Sequence, residues 1–474
     1  MADLERQIWK NKTDDSMKDE PVSEDSFCRL SRAIIERYGC TYAQALGILR
    51  GFSLNLICDE RIRTSVASQA ALVTAINVGK RSFLGGVSVS LPAQVTNLLP
   101  WPSKASLNDV AIELGAVLGN LSFSSSAHTL YFGAASNPVE DGLTVVCNGW
   151  RGGVVPAEQR VTLESPHDFV LGGVLAGALG VAKGFMRISG LSSRFVDEPQ
   201  GLSLWRPDLD WRSPESDGPS LDFLPLNLWL LGLGHLGQAY VWTLGLLPYP
   251  RTKPPMVFLQ DFERVVAGNW NAGLLCDEGA PGQYKTRVCS RWLEDRGFET
   301  RIIERPFNEM TKRAGEDPYV SLCGFDNLRS RSMLEGAGFD LVVECGLGGD
   351  TDNFDDILLH TFPDASEKAR AIWSESALGQ RSYSRGSFAK AFGGLKDCGI
   401  LVETLEGKAI SSSFVGAYAS ALAVGEVLRG LHGGVRIELI HAHLRSNDAP
   451  GVVVLNEVYQ NRFARSGYVD LGRG

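Results

Sequence analysis

Hydrophobic and polar positions change period several times along the chain, and each change predicts an element. Residues 1–25 carry many charges and few large apolar side chains, which predicts a frayed lead without a core of its own. From 26 to about 77 apolar positions such as Leu30, Ala33, Ile34 and Tyr38 fall at helical spacing. Over 83–91 the period drops to two, with Val87-Ser88-Val89-Ser90-Leu91 reading as a strand. The stretch 107–118 predicts another helix, Leu130-Tyr131-Phe132 and 143–147 predict strands, and 149–153 predicts a Gly-rich turn. A helix of small residues, 172–187, closes this part. The alternation predicts an α/β domain over 26–205. Residues 206–222, with Pro207, Pro214 and Pro219 among Ser, Asp and Gly, predict a linker, and 223–474 a second domain.

The second domain opens on the most informative pattern in the chain. The apolar run 226–231 predicts a buried strand, Gly232-Leu233-Gly234-His235-Leu236-Gly237 a Gly-x-Gly-x-x-Gly turn, and 238–246 a helix. A further strand, 256–260, ends on Asp261. This is the dinucleotide-binding order. Glycines let backbone approach phosphate, the helix N-terminus offers unpaired N–H groups, and the acid after the second strand holds a ribose hydroxyl. The glycine turn alone admits nearly any nucleotide, or mere packing. One internal likeness adds to the picture. Ala176-Gly-Ala-Leu-Gly-Val-Ala-Lys resembles Ala419-Ser-Ala-Leu-Ala-Val-Gly-Glu, and each follows a Phe-Val pair, Phe169-Val170 and Phe414-Val415. Two accounts stand side by side: small-residue helices packing close to a sheet look alike by chance, or the chain is a duplication whose first copy kept the fold and lost the nucleotide loop.

Composition narrows the class. With 474 residues, 44% hydrophobic and 21% charged, the chain reads as globular and soluble, with room for two or three cores. A net charge of −9 argues against a nucleic-acid binder. Nine scattered cysteines without a C-x-x-C pair speak against a zinc ribbon or a disulfide scaffold and fit a cytoplasmic protein. No apolar leader is visible, and the apolar run 169–182 is short and ends at Lys183, so no membrane span is expected.

After Asp261 come Phe262, Glu263, Arg264 and Val265, then Gly268-Asn269-Trp270-Asn271-Ala272, then Lys285, then Phe325-Asp326-Asn327-Leu328-Arg329-Ser330-Arg331. In this series the sequence resembles the adenylating domain of the ubiquitin-activating enzymes and of their sulfur-carrier relatives, ThiF and MoeB. That family shows a Gly-rich loop, Asp-Phe-Asp-x-Val, Ser-Asn-Leu-x-Arg, a downstream lysine and Asp-Asn-x-x-x-Arg, in this order. The resemblance implies a Rossmann-like, ThiF-type α/β adenylation domain with a mixed sheet, preceded by a degenerate pseudo-adenylation domain that pairs with it internally. It implies ATP and Mg2+ as cofactors. Gly232, Gly234 and Gly237 would cradle phosphates, Asp261 the ribose, Asn269 and Lys285 the triphosphate, and Asp326 the magnesium ion. One departure is plain: the family's arginine in Ser-Asn-Leu-x-Arg is Ala272 here. Arg264, Arg287, Arg331, or Arg61 and Arg63 of the first half, are the candidates to replace it.

The resemblance extends to a second step. In autophagy-type activating enzymes the catalytic cysteine precedes a helix comparable to 413–428, and Cys398, in Lys396-Asp397-Cys398-Gly399-Ile400, stands at that place. It implies a thioester on Cys398, a ubiquitin-like β-grasp protein as substrate and a conjugating enzyme as acceptor, with homodimerisation left open. The layout resembles the activating enzymes of bacterial ubiquitin-like conjugation operons linked to phage defence. Alternatives are a ThiF- or MoeB-type sulfur-carrier activator, an NAD-dependent oxidoreductase on the same loop, and a non-catalytic scaffold. Cys276, Cys289, Cys323 and Cys345 lie in apolar stretches and are expected in the core. His441-Ala442-His443 would place two imidazoles on one strand face; without a third ligand in the sequence they read as plain strand residues, and no zinc is expected.

Overall fold

The computed structural model describes residues 28–103, 105–134, 137–191, 198–277, 279–326, 328–363, 410–445, 450–458, 465 and 467–473. Two helices lead, α1 (Ser31–Tyr38) and α2 (Tyr42–Gly51), the second started by a capping box between Thr41 and Gln44. Then follow β1 (Ser53–Cys58), α3 (Val66–Gly79), β2 (Val87–Ser90), α4 (Leu107–Glu113), β3 (Val117–Leu118), β4 (Ala127–Phe132), β5 (Leu143–Asn148), β6 (Arg151–Pro156), α5 (Val170–Ile188) and β7 (Gln200–Ser203). The second half runs β8 (Phe223–Pro225), β9 (Asn227–Leu231), α6 (His235–Gly245), β10 (Met256–Gln260), α7 (Lys285–Glu294), β11 (Glu299–Ile303), β12 (Val320–Cys323), α8 (Leu328–Arg331), β13 (Leu341–Leu347) and β14 (Asp356–Phe362). It ends with α9 (Ser413–Leu431), β15 (Val435–His443), β16 (Gly451–Val458) and β17 (Tyr468–Asp470).

The two halves repeat one topology. The first sheet has the order β3-β2-β1-β4-β5-β6-β7, and the second β11-β10-β9-β12-β13-β14-β15-β16. Five strands are parallel in each, and the next two antiparallel, strand for strand. The look-alike helices α5 and α9 both fall between the sixth and seventh strands of their sheets. That positional match favours duplication over chance. The parallel order 3-2-1-4 with flanking helices is the nucleotide-binding Rossmann arrangement, so each half is a mixed α/β sheet of that class.

Apolar residues hold the halves together. Helix α3 is mostly apolar or small and is buried at Ala67 and from Gln69 to Gly79, as suits a helix between layers. It packs on α5, α5 on α9, and α9 on α6, so one continuous core runs from the first sheet to the second. Polar ties cross the same seam: Trp242 Nε1 donates to Thr74 Oγ1 at 3.1 Å, and Ser413 Oγ to the Val78 carbonyl at 3.1 Å. Both α5 and α9 have the length and apolarity to cross a membrane, yet 94% of each apolar window is buried inside the fold. The helix expected over 172–187 is α5, which carries Lys183 inside it with Nζ donating to Gln200 Oε1 at 2.8 Å.

Three further readings change. The stretch 26–77 is interrupted by β1, because Asn55 sits buried in that strand and breaks its apolar run. Its side chain donates to Ser122 O at 2.5 Å and accepts from Ser122 N at 3.0 Å. The predicted turn 149–153 is largely strand β6, whose Gly152 faces α5. A Cβ there would lie 2.1 Å from the Gly172 carbonyl oxygen, so only glycine lets helix and sheet close together. The predicted helix 107–118 stops at Glu113, and the two-residue edge strand β3 follows. Residues 206–222 form no strand and only a short 3-10 turn, Pro214–Ser216, but they pack: Trp211 is buried, and Trp150 Nε1 donates to Pro219 O at 2.8 Å.

Candidate functional site

Strand β9 is apolar and central, so it delivers its C-terminal end rigidly to the top of the second sheet. The chain turns there at Gly232, whose φ of +78° a side chain would strain. Gly237 is needed for a different reason: a Cβ there would lie 2.0 Å from the Gly232 carbonyl oxygen, so its absence lets the first turn of α6 press on the loop. A Cβ on Gly234 would meet nothing within 4 Å. Gly234 is the N-cap of α6, and no side chain caps that helix. Its first N–H groups and the positive end of its dipole are thus presented beside a loop in which two of three residues are glycine and Leu233 is turned into the core, which is an anion cradle.

Asp261, at the end of β10, braces this cradle. Its Oδ2 accepts from Leu233 N at 2.6 Å and its Oδ1 from Glu263 N at 2.7 Å. Burial raises its carboxyl above the ordinary range, while those two N–H groups and the Lys285 charge oppose the shift. Each oxygen keeps a lone pair for a hydroxyl. Lys285 opens α7, is buried, and pairs through Nζ with Glu263 Oε2. Asn269 lies in the 3-10 turn Ala267–Asn271, with its Oδ1 accepting from Val266 N at 3.0 Å.

Asp326 follows β12 on the neighbouring strand end and is exposed. Its loop touches the glycine loop, since a Cβ on Gly232 would lie 3.0 Å from Phe325 Cδ1. The loop is fixed from below. Arg331 donates to the Phe325 carbonyl through Nε at 2.8 Å and Nη2 at 2.5 Å, and pairs with buried Glu344 at 3.2 Å. Glycine cradle, acid, lysine and second acid therefore converge on the carboxyl ends of β9, β10 and β12, where open α/β sheets bind ligands.

Each arginine candidate has a partner within the fold. Arg264 stacks on Tyr284 at 3.8 Å and donates to Gly282 O, Arg287 pairs with Glu304 at 2.9 Å, and Arg331 is the clamp just described. Arg61 pairs with Asp59, and Arg63 pairs with Glu60 and donates to Ala93 O, all within the first half. The arginines that the first half brings to the second are others. Arg81, at the end of α3, is buried and reaches the loop that holds Ala272. It donates to Trp270 O, to Leu274 O at 2.9 Å and to Cys276 O at 3.0 Å. Arg29, ahead of α1, exerts its charge on His235. Neither stands in a local motif; only the pairing of the halves reveals them.

His235, first residue of α6, is half-buried; Ser411 Oγ lies 3.1 Å from its Nδ1, and desolvation of the ring lowers its pKa to about 4. It is therefore neutral at pH 7. Cys276, Cys289, Cys323 and Cys345 are core residues as expected, and burial pushes each of these thiols up. Cys398 lies outside the described residues.

Comparison with known proteins falls on the same stretches. The family model described as the BilD C-terminal domain matches residues 224–434, and that of the BilD N-terminal domain matches 53–204. The chain is 35% identical over 416 residues to "Bacterial E1-like protein BilD" of Collimonas sp. (strain OK412), covering 84% of this chain and 87% of that protein. Among solved structures, E. coli MccB is 12% identical, with 67% of this chain and 93% of that one covered at a TM-score of 0.33. E. coli tRNA N6-threonylcarbamoyladenosine dehydratase, TcdA, is 14% identical, with 43% and 84% covered at a TM-score of 0.29.

Proposed function

Since the chain belongs to the BilD family of bacterial E1-like proteins, we propose that it activates a ubiquitin-like β-grasp protein by ATP-dependent adenylation of its C-terminal carboxylate. The observation that carries this reading is the uncapped first turn of α6 behind the glycine loop, flanked by Asp261, Lys285 and Asp326. Gly232, Gly234 and Gly237 receive the phosphates, Asp261 the ribose, and Asn269 and Lys285 the triphosphate. Glu263 yields Lys285 to the more highly charged nucleotide. A single exposed carboxylate, Asp326, suits Mg2+, which takes one or two protein carboxylates and completes its shell with phosphate and water. When bound there, Mg2+ supplies positive charge against the α-phosphate.

The partner's carboxylate oxygen bonds to the α-phosphorus, the bond to the β-phosphate bridging oxygen breaks, and pyrophosphate leaves. Lys285 and the helix N-terminus neutralise the charge that builds on the phosphate oxygens. The Cys398 thiolate then attacks the acyl carbon, giving a thioester and AMP, and the acyl group passes to a conjugating enzyme. On this reading 26–205 is the inactive pseudo-adenylation domain, 206–222 the connector and 223–474 the active domain. The setting is bacterial anti-phage conjugation in the cytoplasm.

ATP–pyrophosphate exchange with a cognate ubiquitin-like protein tests the first step. Lys285→Ala and Asp326→Ala each lower the rate by about 100-fold, the usual loss for one preorganised charge contact of about 3 kcal/mol. Full exchange in both variants overturns the adenylation reading. Cys398→Ala leaves exchange intact and abolishes a thiol-sensitive adduct; an adduct that persists moves the nucleophile elsewhere.

A further inference from the structure

Strand β15 ends in His441-Ala442-His443, and positions i and i+2 of a strand share one face. The sequence offers these imidazoles no third donor; the sheet does. Strand β14 pairs antiparallel with β15, placing Asp356 opposite His443 and Leu358 opposite His441. Asp356 Oδ1 lies 2.6 Å from His443 Nδ1, and Oδ2 lies 3.9 Å from His441 Nε2. The imidazole centroids are 4.2 Å apart, and one donor atom from each residue lies within 4.8 Å of the others. We propose that Asp356, His441 and His443 form a binding site for one borderline divalent transition-metal ion such as Zn2+.

The donor set selects the metal class. Two imidazoles and one carboxylate suit zinc, iron, cobalt or nickel, whereas magnesium and calcium call for oxygen shells. Around a tetrahedral ion with bonds of about 2.0–2.2 Å, donor atoms stand about 3.3 Å apart. Closing the cluster to that spacing asks for shifts of about one ångström, small for three side chains that are all partly exposed. The three donors leave a position for water or a ligand, as in catalytic rather than closed structural sites.

The frame beneath the cluster is fixed. Asp355 accepts from Arg445 N and from Arg445 Nη2, both at 2.8 Å, which pins the start of β14 to the chain leaving β15. Gln200, from the first half, donates to the His443 carbonyl at 3.1 Å. An ordinary surface pair accounts for His443 with Asp356, and such pairs contribute little. It does not account for His441, which is beyond hydrogen-bond distance of the same carboxylate yet set edge-on against His443. The cluster lies three to four strands from β9 at about 4.8 Å per strand, so it is separate from the nucleotide cradle and independent of the adenylation reading.

The full-length protein, stripped by chelation and kept free of nucleotide, is titrated with Zn2+ by calorimetry and with Co2+ by absorption. The expected result is one equivalent, a Co2+ spectrum without a thiolate charge-transfer band, and a zinc-dependent rise in thermal midpoint. His441→Ala and Asp356→Asn each weaken binding by about 100-fold or more, beyond the 10–100-fold typical of supporting residues. ATP–pyrophosphate exchange and circular dichroism stay at wild-type level, which separates lost ligation from lost folding. Unchanged stoichiometry and affinity in the His441→Ala, His443→Ala double variant overturn the site. So does a thiolate band, which would place the ion on cysteine, or the absence of binding by the wild type.

Discussion

The two sheets share strand order and helix placement, yet only the second presents an anion cradle, and the difference lies in one connector. In the second half, residues 232–234 join β9 to α6, and no side chain caps the helix. In the first half, residues 59–65 join β1 to α3. Asp59 stands where the second half has Gly232, the residue after the strand. Its carboxylate accepts from Ala134 N at 2.7 Å and Arg61 N at 2.9 Å, filling the space at the end of β4. The α3 N-terminus is also taken. Ser65 Oγ accepts from Ser68 N at 3.1 Å, and Asp168 accepts from Val66 N at 2.8 Å and Ala67 N at 3.0 Å. The first half has answered the same positive helix end with its own carboxylates. A Rossmann topology therefore supplies the potential for a phosphate site, and the connector decides whether it stays available.

The duplication also names a counterpart. Asp168 lies two residues before α5, and Ser411 lies two residues before α9, where it meets the first residue of α6. Ser411→Asp should transplant the plug. A carboxylate about 5 Å from a phosphate charge, at an effective dielectric of about 20, opposes binding by about 3 kcal/mol. ATP affinity is thus expected to fall by about 100-fold in calorimetric titration. Affinity within about threefold of wild type would mean that the helix end contributes little to the cradle.

Each half should also lose stability in acid through one histidine. His128, on β4 of the first half, is buried, and neither ring nitrogen has a hydrogen-bond partner among the described residues. Burial lowers its pKa to about 3. The folded pKa is below the ordinary 6.5, so this stability is present above pH 6.5 and is lost as pH falls toward 3. At pH 5 the loss is about 2 kcal/mol from this residue. His235, lowered to about 4, adds a similar loss in the second half. Urea titrations at pH 7 and pH 5 on His128→Leu should show about 2 kcal/mol less acid sensitivity than wild type, with the His235 share remaining. An unchanged pH difference would mean that His128 is already charged in the fold.

Much of the second half was legible because its signals are local. The strand 256–260 is found as read, Asp261 at its end bonds to the glycine loop, and Lys285 pairs with Glu263 close by. The first half was harder. Strand β1 hides behind a polar residue, Asn55, whose hydrogen bonds to Ser122 are 67 residues distant. The arginine that crosses between the halves was hidden for a similar reason. Arg264 and Arg287 lie near the motifs in sequence but are tied to Gly282 and Glu304, whereas Arg81 reaches its loop only once the halves are packed. Periodicity reports which face of an element is buried, not which distant chain it meets. The third donor beside His441 and His443 was invisible on the same ground, since Asp356 joins them through strand pairing.

The smallest expected effect bears most directly on what the first half is for. Asp168→Ala removes the carboxylate from the α3 N-terminus but leaves Ser65 on Ser68 N and Asp59 on Ala134 N. Losing such a cap costs about 1 kcal/mol, readable as a lower urea midpoint with unchanged slope. No nucleotide site should open, because Asp59 still occupies the end of β4 and the first half has no counterpart to the glycine loop. If Asp168→Ala instead gained ATP binding, the first half would be a silenced site held shut by one side chain. If it lost stability alone, the carboxylates of the first half are structural replacements for a ligand, and that sheet persists because α3 and α5 form the surface on which the second half is built.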